Sequence, residues 1–216
     1  MNELQKPQII LTHESDLDGL VSGCLLKRLA QHLFGEDVPL AAYHLAPWQS
    51  RQMLEHVAWV SDLSMEARLD REGWLVVDHH PAKHQPTKAR YHFDSQQCAA
   101  SLAYQLLQEH GLGNPQLDAL VHLTRVADLF LESDADFERA CDHAELVKAY
   151  HFHPLMKLLE GKLVNSTCEE LCKAGDQVRV DMDAYPVGNM FGIDIFEVTH
   201  VKTNQKVFVA TGEITK

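Results

Sequence analysis

The chain has 216 residues, 45% of them hydrophobic, and a formal net charge of −12. It is long enough to bury a sizeable core as one domain, or as a domain with a small appendage. The acidic balance argues against a broad basic groove for long duplex nucleic acid, which depends on many phosphate contacts, and no run approaches the roughly 18 continuous apolar residues that span a bilayer.

In chain order, Gln8 to Thr12 reads as a strand and the apolar spacing of Leu20, Cys24, Leu25 and Leu29 predicts a helix to Phe34. Val38 to Leu45 reads as a strand, Gln49 to Val57 as a helix, Ala58 to Ser61 as a strand, Met65 to Arg71 as a short helix, and the apolar run from Trp74 to Val77 as a further strand. From Gln97 the pattern turns helical: Cys98 to Glu109, Gln116 to Phe130, Ala135 to Tyr150 and Leu155 to Leu163, with Gly111, Gly113 and Pro115 marking one break. Beyond Gly175, the segments Gln177 to Met182, Ile193 to Val201 and Val207 to Thr211 read as strands. Strands alternating with helices imply an α/β fold with an open, mainly parallel sheet and right-handed crossovers. The expected division is a core over residues 1–174 and a β-rich segment over residues 175–216.

Polar chemistry gathers where the apolar runs stop. Trp74 to Pro81 reads WLVVDHHP, which sets Asp78, His79 and His80 directly after a buried strand. The first strand runs into His13, Asp16 and Asp18, the third into Asp62, and a helical stretch ends at Asp128. In an open parallel sheet, the ligand site lies outside the carboxyl ends of the strands. Taken singly, Asp16 or Asp18 reads as a helix N-cap, and Asp62 or Asp128 as a cap or a solvated residue. Adjacent histidines at a strand end have no routine capping role, and the four clusters together point to a metal site. An imidazole and carboxylate set without cysteine favours manganese, with magnesium as the alternative.

These motifs resemble those of the DHH phosphoesterase family, which includes RecJ-type exonucleases, nano-RNase and pAp phosphatases, and relatives of exopolyphosphatase. THESDLDGLVS is similar to the family's first motif, VSDLS to the second, VVDHH to the third and RVADLF to the fourth, spanning Thr12 to Phe130. CAASLAYQLL, with Ser101 near its start, resembles the stretch that follows the triplet. The resemblance implies two manganese ions. It gives His13 and Asp16 to one, Asp18, His79 and Asp128 to the other, and Asp62 as the carboxylate that bridges them. The histidine of the motif that contacts the phosphate is matched by His80, while Asp78 matches a group that orients an imidazole. Several subfamilies place the first histidine at a different interval from the first aspartate. Ser22 matches a position often occupied by serine in the family, and a small residue on the first helix explains it equally well.

The resemblance implies a metal-dependent hydrolase acting on a nucleotide or a short oligonucleotide, with water as nucleophile. Hydrolysis of polyphosphate or pyrophosphate and a non-catalytic metal- or nucleotide-binding module are the alternatives. Tyr43, Trp48 and Tyr91 are aromatic candidates for stacking a base, each equally readable as a core or surface residue. The family's glycine-rich substrate loop is not found, and the roughly forty residues after Gly175 suggest a fragment or a minimal accessory domain. Five cysteines (Cys24, Cys98, Cys141, Cys168 and Cys172) and a start without an apolar leader lead to an expectation of a reducing cytoplasm.

Overall fold

The computed structural model of the chain describes residues 4–150, 152, 178–180, 189–190, 193–200 and 206–211. Five short strands make one sheet: β1 (Ile9–His13), β2 (Leu40–Tyr43), β3 (Ala58–Ser61), β4 (Leu75–Asp78) and β5 (Arg90–Phe93). Their order is β2-β1-β3-β4-β5 and every pairing is parallel, the open α/β sheet expected from the sequence. The register sets Thr12 beside Ala42 and Ser61, and Ser61 beside Val77. Because the strands stop at nearly one level, the residues that follow them collect along one edge.

Strands β1, β3 and β4 are apolar up to their carboxyl ends, where Thr12, His13, Ser61 and Asp78 stand, because helices or loops cover both faces of the sheet. Ile10, Trp59, Leu75 and Val77 belong to a core shared with helices α1 (Leu17–Phe34), α3 (Ala99–Glu109) and α4 (Pro115–Asp128). Leu11, Val60 and Val76 belong to the opposite core, with Trp48, Met65, Leu69 and Trp74. Burial of each such side chain contributes about 1.5–3 kcal/mol, so this alternation fixes the strand register and with it the direction of every strand-end side chain. Helix α5 (Phe137–Tyr150) follows α4 and sends Val147 into the first core.

Several local expectations change. The helix expected over Gln49 to Val57 is a short α2 (Leu45–Ser50) followed by irregular backbone. Two arginines replace the helical ladder there: Arg68 donates to the carbonyls of Trp48 and Arg51 at 2.8 Å each, and Arg71 donates to that of Met53 at 2.9 Å. The helix expected over Met65 to Arg71 is one 3₁₀ turn, Ala67–Leu69. Strand β5, RYHF, has no counterpart among the expected elements because an edge strand with only intermediate burial lacks an apolar run. Helix α1 starts at Leu17, earlier than the periodicity implies, because Asp16 caps it by accepting the Gly19 N–H at 2.9 Å.

Four further strands, β6 (Val178–Val180), β7 (Asn189–Met190), β8 (Ile193–His200) and β9 (Lys206–Thr211), pair antiparallel into a second sheet. Three of them, β6, β8 and β9, coincide with the strand segments expected after Gly175. The expected helix over Leu155 to Leu163, the boundary between residues 174 and 175, and Cys168 and Cys172 lie outside the described residues. Among the described residues, Cys24, Cys98 and Cys141 form no disulfide, and no helix is long and apolar enough to cross a membrane.

Candidate metal centre

The eight residues singled out by sequence meet at the carboxyl edge of the five-stranded sheet. His13 ends β1, Asp62 follows β3, Asp78 ends β4, and His79 and His80 follow it. Asp16 and Asp18 open α1, and Asp128 is the last residue of α4. Most of these groups stand where an element begins or ends, so backbone turns rather than long flexible side chains place them.

Asp62 stands at the centre. Its backbone is left-handed, with φ 56°, a conformation that a short polar side chain such as aspartate tolerates better than most. Strain of this kind costs of order 1–3 kcal/mol and persists where the surroundings enforce it; here the Asp62 N–H is held by the carbonyl of Val77 at 3.0 Å. The turn points the two carboxylate oxygens in different directions. Oδ2 lies 3.5 Å from His13 Nδ1, whereas Oδ1 lies 3.5 Å from His79 Nε2.

On the His13 side, Asp16 Oδ2 is 2.7 Å from His13 Nδ1 while its Oδ1 caps α1, so capping leaves the other oxygen facing His13. On the other side, His79 Nε2 is 3.6 Å from both Asp18 Oδ2 and Asp128 Oδ2. Asp18 is buried and accepts the Ala99 and Ala100 N–H groups at 2.8 and 2.7 Å. The amino terminus of α3 therefore holds this carboxylate by two backbone donors and a favourable helix dipole. Asp78 accepts a hydrogen bond from His80 Nδ1 at 2.8 Å. The half-exposed His80 ring packs tilted against that of His79, with centroids 4.2 Å apart.

Charge is concentrated beyond what burial tolerates. Burial, together with Asp62 and Asp128, pushes the Asp18 carboxyl well above the ordinary carboxylate range. Burial raises Asp62 to about 8 despite His13, and it also raises Asp128. The Asp16 carboxylate, with Asp62 behind it, lifts His13 to about 10, and Asp78 lifts His80 to about 9. Like-charged carboxylates packed this closely are stabilised by a cation.

The donor set fits a divalent cation. Asp62 Oδ2 and His79 Nε2 are buried and have no hydrogen-bond partner. The separations of 3.5–3.6 Å around His79 exceed hydrogen-bond length. Ligand atoms around one cation with bonds of ~2.1 Å stand roughly 3–3.5 Å apart, close to that spacing. Three overlapping groups are compact enough to hold an ion: His13, Asp16 and Asp62; Asp18, His79 and Asp128; and Asp62, His79 and His80. Oxygen and imidazole donors without thiolate suit a divalent metal ion.

Sequence reasoning missed groups around this centre. Ser15 Oγ lies 2.7 Å from His44 Nδ1 at the rim beside β2, a pairing with no signal in local spacing. The aromatic candidates also need correction. Trp48 is buried, with the Arg68 guanidinium 4.6 Å over its ring, and is closed to a substrate. Tyr91 stacks on Phe93, with centroids 5.2 Å apart, and Phe93 is the ring left exposed, in register with Asp78. A fourth group, His122, Asp134 and Asp136, is formed at the surface by α4 and the residues that follow it and matches no expected motif.

No family model matches this chain, and no curated protein matches it. Among solved structures, it is similar to RecJ from Thermus thermophilus in complex with Mn2+, at 20% identity and a TM-score of 0.44, over 79% of this chain and 28% of that one. It is also similar to an exonuclease RecJ bound to manganese, at 16% identity and a TM-score of 0.42, over 72% of this chain and 51% of that one. The chain thus spans about half, or less, of the length of these two proteins.

Proposed function

We propose that this chain is a manganese-dependent phosphoesterase of the DHH type that hydrolyses a phosphoester of a nucleotide or short oligonucleotide. The observation that carries this reading is the divided carboxylate of Asp62, with one oxygen toward His13 and the other toward His79. His13, Asp16 and Asp62 would hold one ion, and Asp18, His79, Asp128 and Asp62 the other, with magnesium as an alternative to manganese. Divalent ions held by these residues would activate water at neutral pH and would place positive charge against an anionic transition state.

The protein's own groups have separate tasks. Asp18, fixed by the α3 amides, keeps its half of the centre rigid. Asp78 fixes the Nδ1 side of His80 and favours the imidazolium, which leaves the opposite nitrogen to donate to a non-bridging or leaving oxygen of the phosphate. Phe93 supports the nucleotide part of the reading: it is 43% exposed, backed by Tyr91, and one strand spacing from Asp78, within reach of a base attached to a bound phosphate. The net charge of −12 favours a small substrate over a long duplex.

The test is release of mononucleotide from a short oligonucleotide in manganese, run beside pyrophosphate and polyphosphate. Hydrolysis of the oligonucleotide that stops on chelation supports the proposal. Hydrolysis of the phosphoanhydrides alone moves the substrate class to polyphosphate, and a manganese-loaded protein that turns over none of the three contradicts the enzyme reading.

A further inference from the structure

Thr12, Ser22 and Ser61 are fully buried, and none belongs to the donor set. Their hydroxyls form a chain that runs one way. Ser22 Oγ donates to Ser61 Oγ at 3.0 Å, Ser61 Oγ donates to Thr12 Oγ1 at 3.0 Å, and Thr12 Oγ1 donates to the carbonyl of Gly19 at 2.6 Å. Three points on this chain adjoin a proposed ligand: Thr12 precedes His13, Ser61 precedes Asp62, and Gly19 follows Asp18.

The place of the chain in the sheet gives it a purpose. Thr12 and Ser61 form the last pair between β1 and β3. Beyond them the backbones separate, as His13 pairs with Tyr43 of β2 and Asp62 turns left-handed. The hydroxyls continue the link between these segments where the backbone ladder stops. From the other side, the turn is pressed against β1: a Cβ on Gly19 would stand 2.2 Å from the carbonyl oxygen of His13. Apolar side chains of similar size would fill this space at little or no loss of stability, since a buried hydrogen bond contributes little net energy compared with a well-packed apolar pair. What they would lose is a fixed distance.

Resting on the metal reading above, we infer that Thr12, Ser61 and Ser22 are positioning residues that lock the His13, Asp18 and Asp62 segments together and thereby set the affinity of the centre for its ions. Ser61 is the decisive link. Without it Thr12 still donates to Gly19, and Ser22, already 3.4 Å from the same carbonyl, has an acceptor, so no polar group is stranded.

The experiment is calorimetric titration of the full chain with manganese, together with thermal unfolding in excess chelator. Ser61→Ala and Thr12→Val should each weaken manganese binding by ~10-fold or more, the range for groups that orient metal ligands, while Thr12→Ser stays within about threefold of wild type. Ser22→Ala, at the end of the chain, should have the smallest effect. The metal-free unfolding midpoint of Ser61→Ala should stay close to wild type, which separates positioning from general destabilisation. Wild-type affinity in both Ser61→Ala and Thr12→Val overturns the inference, as does equal weakening in Thr12→Val and Thr12→Ser. A wild-type chain that binds no manganese overturns the metal reading itself, a different result from binding that is insensitive to these hydroxyls.

Discussion

His79 Nε2 and Asp62 Oδ1 face each other at 3.5 Å, and the imidazole nitrogen is buried without a hydrogen bond. A neutral ring in that position leaves its lone pair unused, and a protonated ring leaves its N–H unsatisfied. A shared cation resolves both. His79→Ala should therefore cost the protein one manganese per chain, measured by elemental analysis after desalting, with the His13 side still loaded.

The neighbouring histidine should behave differently. His80 is half exposed and already engaged by Asp78, so His80→Ala should leave metal content intact while turnover falls by roughly two to three orders of magnitude, as for loss of one transition-state donor. Metal analysis and steady-state kinetics on the same preparation check this. Equal metal loss in the His79 and His80 variants would cancel the division of roles.

Metal should also stabilise the fold, because the carboxylates it neutralises are buried together. At a hundredfold excess over Kd, binding contributes about 2.7 kcal/mol, which for a chain of this size is a rise of about 5–10 °C in the unfolding midpoint. A midpoint that does not move with manganese would mean that the centre is not formed in solution.

The loop that follows His80 is tied down by Asp70, whose carboxylate accepts the N–H groups of Thr87, Lys88 and Ala89 and pairs with His84. Burial works to raise the Asp70 carboxyl, yet the Ala89 amide, the His84 ring and the Lys88 and Thr87 amides together hold it well below its ordinary value of 3.8. A depressed folded-state pKa stabilises above the unfolded value and is lost as pH falls through the folded one. Asp70→Asn should thus lower the unfolding midpoint at pH 7, and the gap from wild type should narrow as pH drops below about 3.8. A gap that widens on acidification would contradict this role.

Phe93 provides the substrate test. Phe93→Ala should lower the specificity constant for a short oligonucleotide by about tenfold or more, given base-stacking contributions of about 1–3 kcal/mol, and leave bis-p-nitrophenyl phosphate unaffected. Phe93→Trp should retain activity on both. An equal loss on both substrates would make Phe93 a structural residue.

The centre is legible in the sequence because its chemistry follows local rules. An apolar run that ends in charge, as at Leu75 to Asp78, announces both the strand and what it delivers. Asp62 is legible for the same reason, but its left-handed backbone, and the opposed directions of its oxygens, depend on the contact with Val77 across the sheet. The clamp of Asp18 on α3 joins residues 81 and 82 positions apart, and the Ser61 to Thr12 bond spans 49. Such pairings leave no periodicity. The expected helix over Gln49 to Val57 fails on similar grounds: the arginines that satisfy its Arg51 and Met53 carbonyls stand 17 and 18 residues downstream.

The most direct measurement is the manganese stoichiometry of wild type and Asp62→Asn. Asparagine keeps the shape of the side chain and tolerates the left-handed backbone, so the exchange removes the bridging charge with little change in the turn. Two ions per wild-type chain and fewer than one in the variant is the predicted result, because both sides of the centre draw on the same carboxylate. Two tightly held ions in Asp62→Asn, or none in wild type, would contradict a metal pair bridged by Asp62.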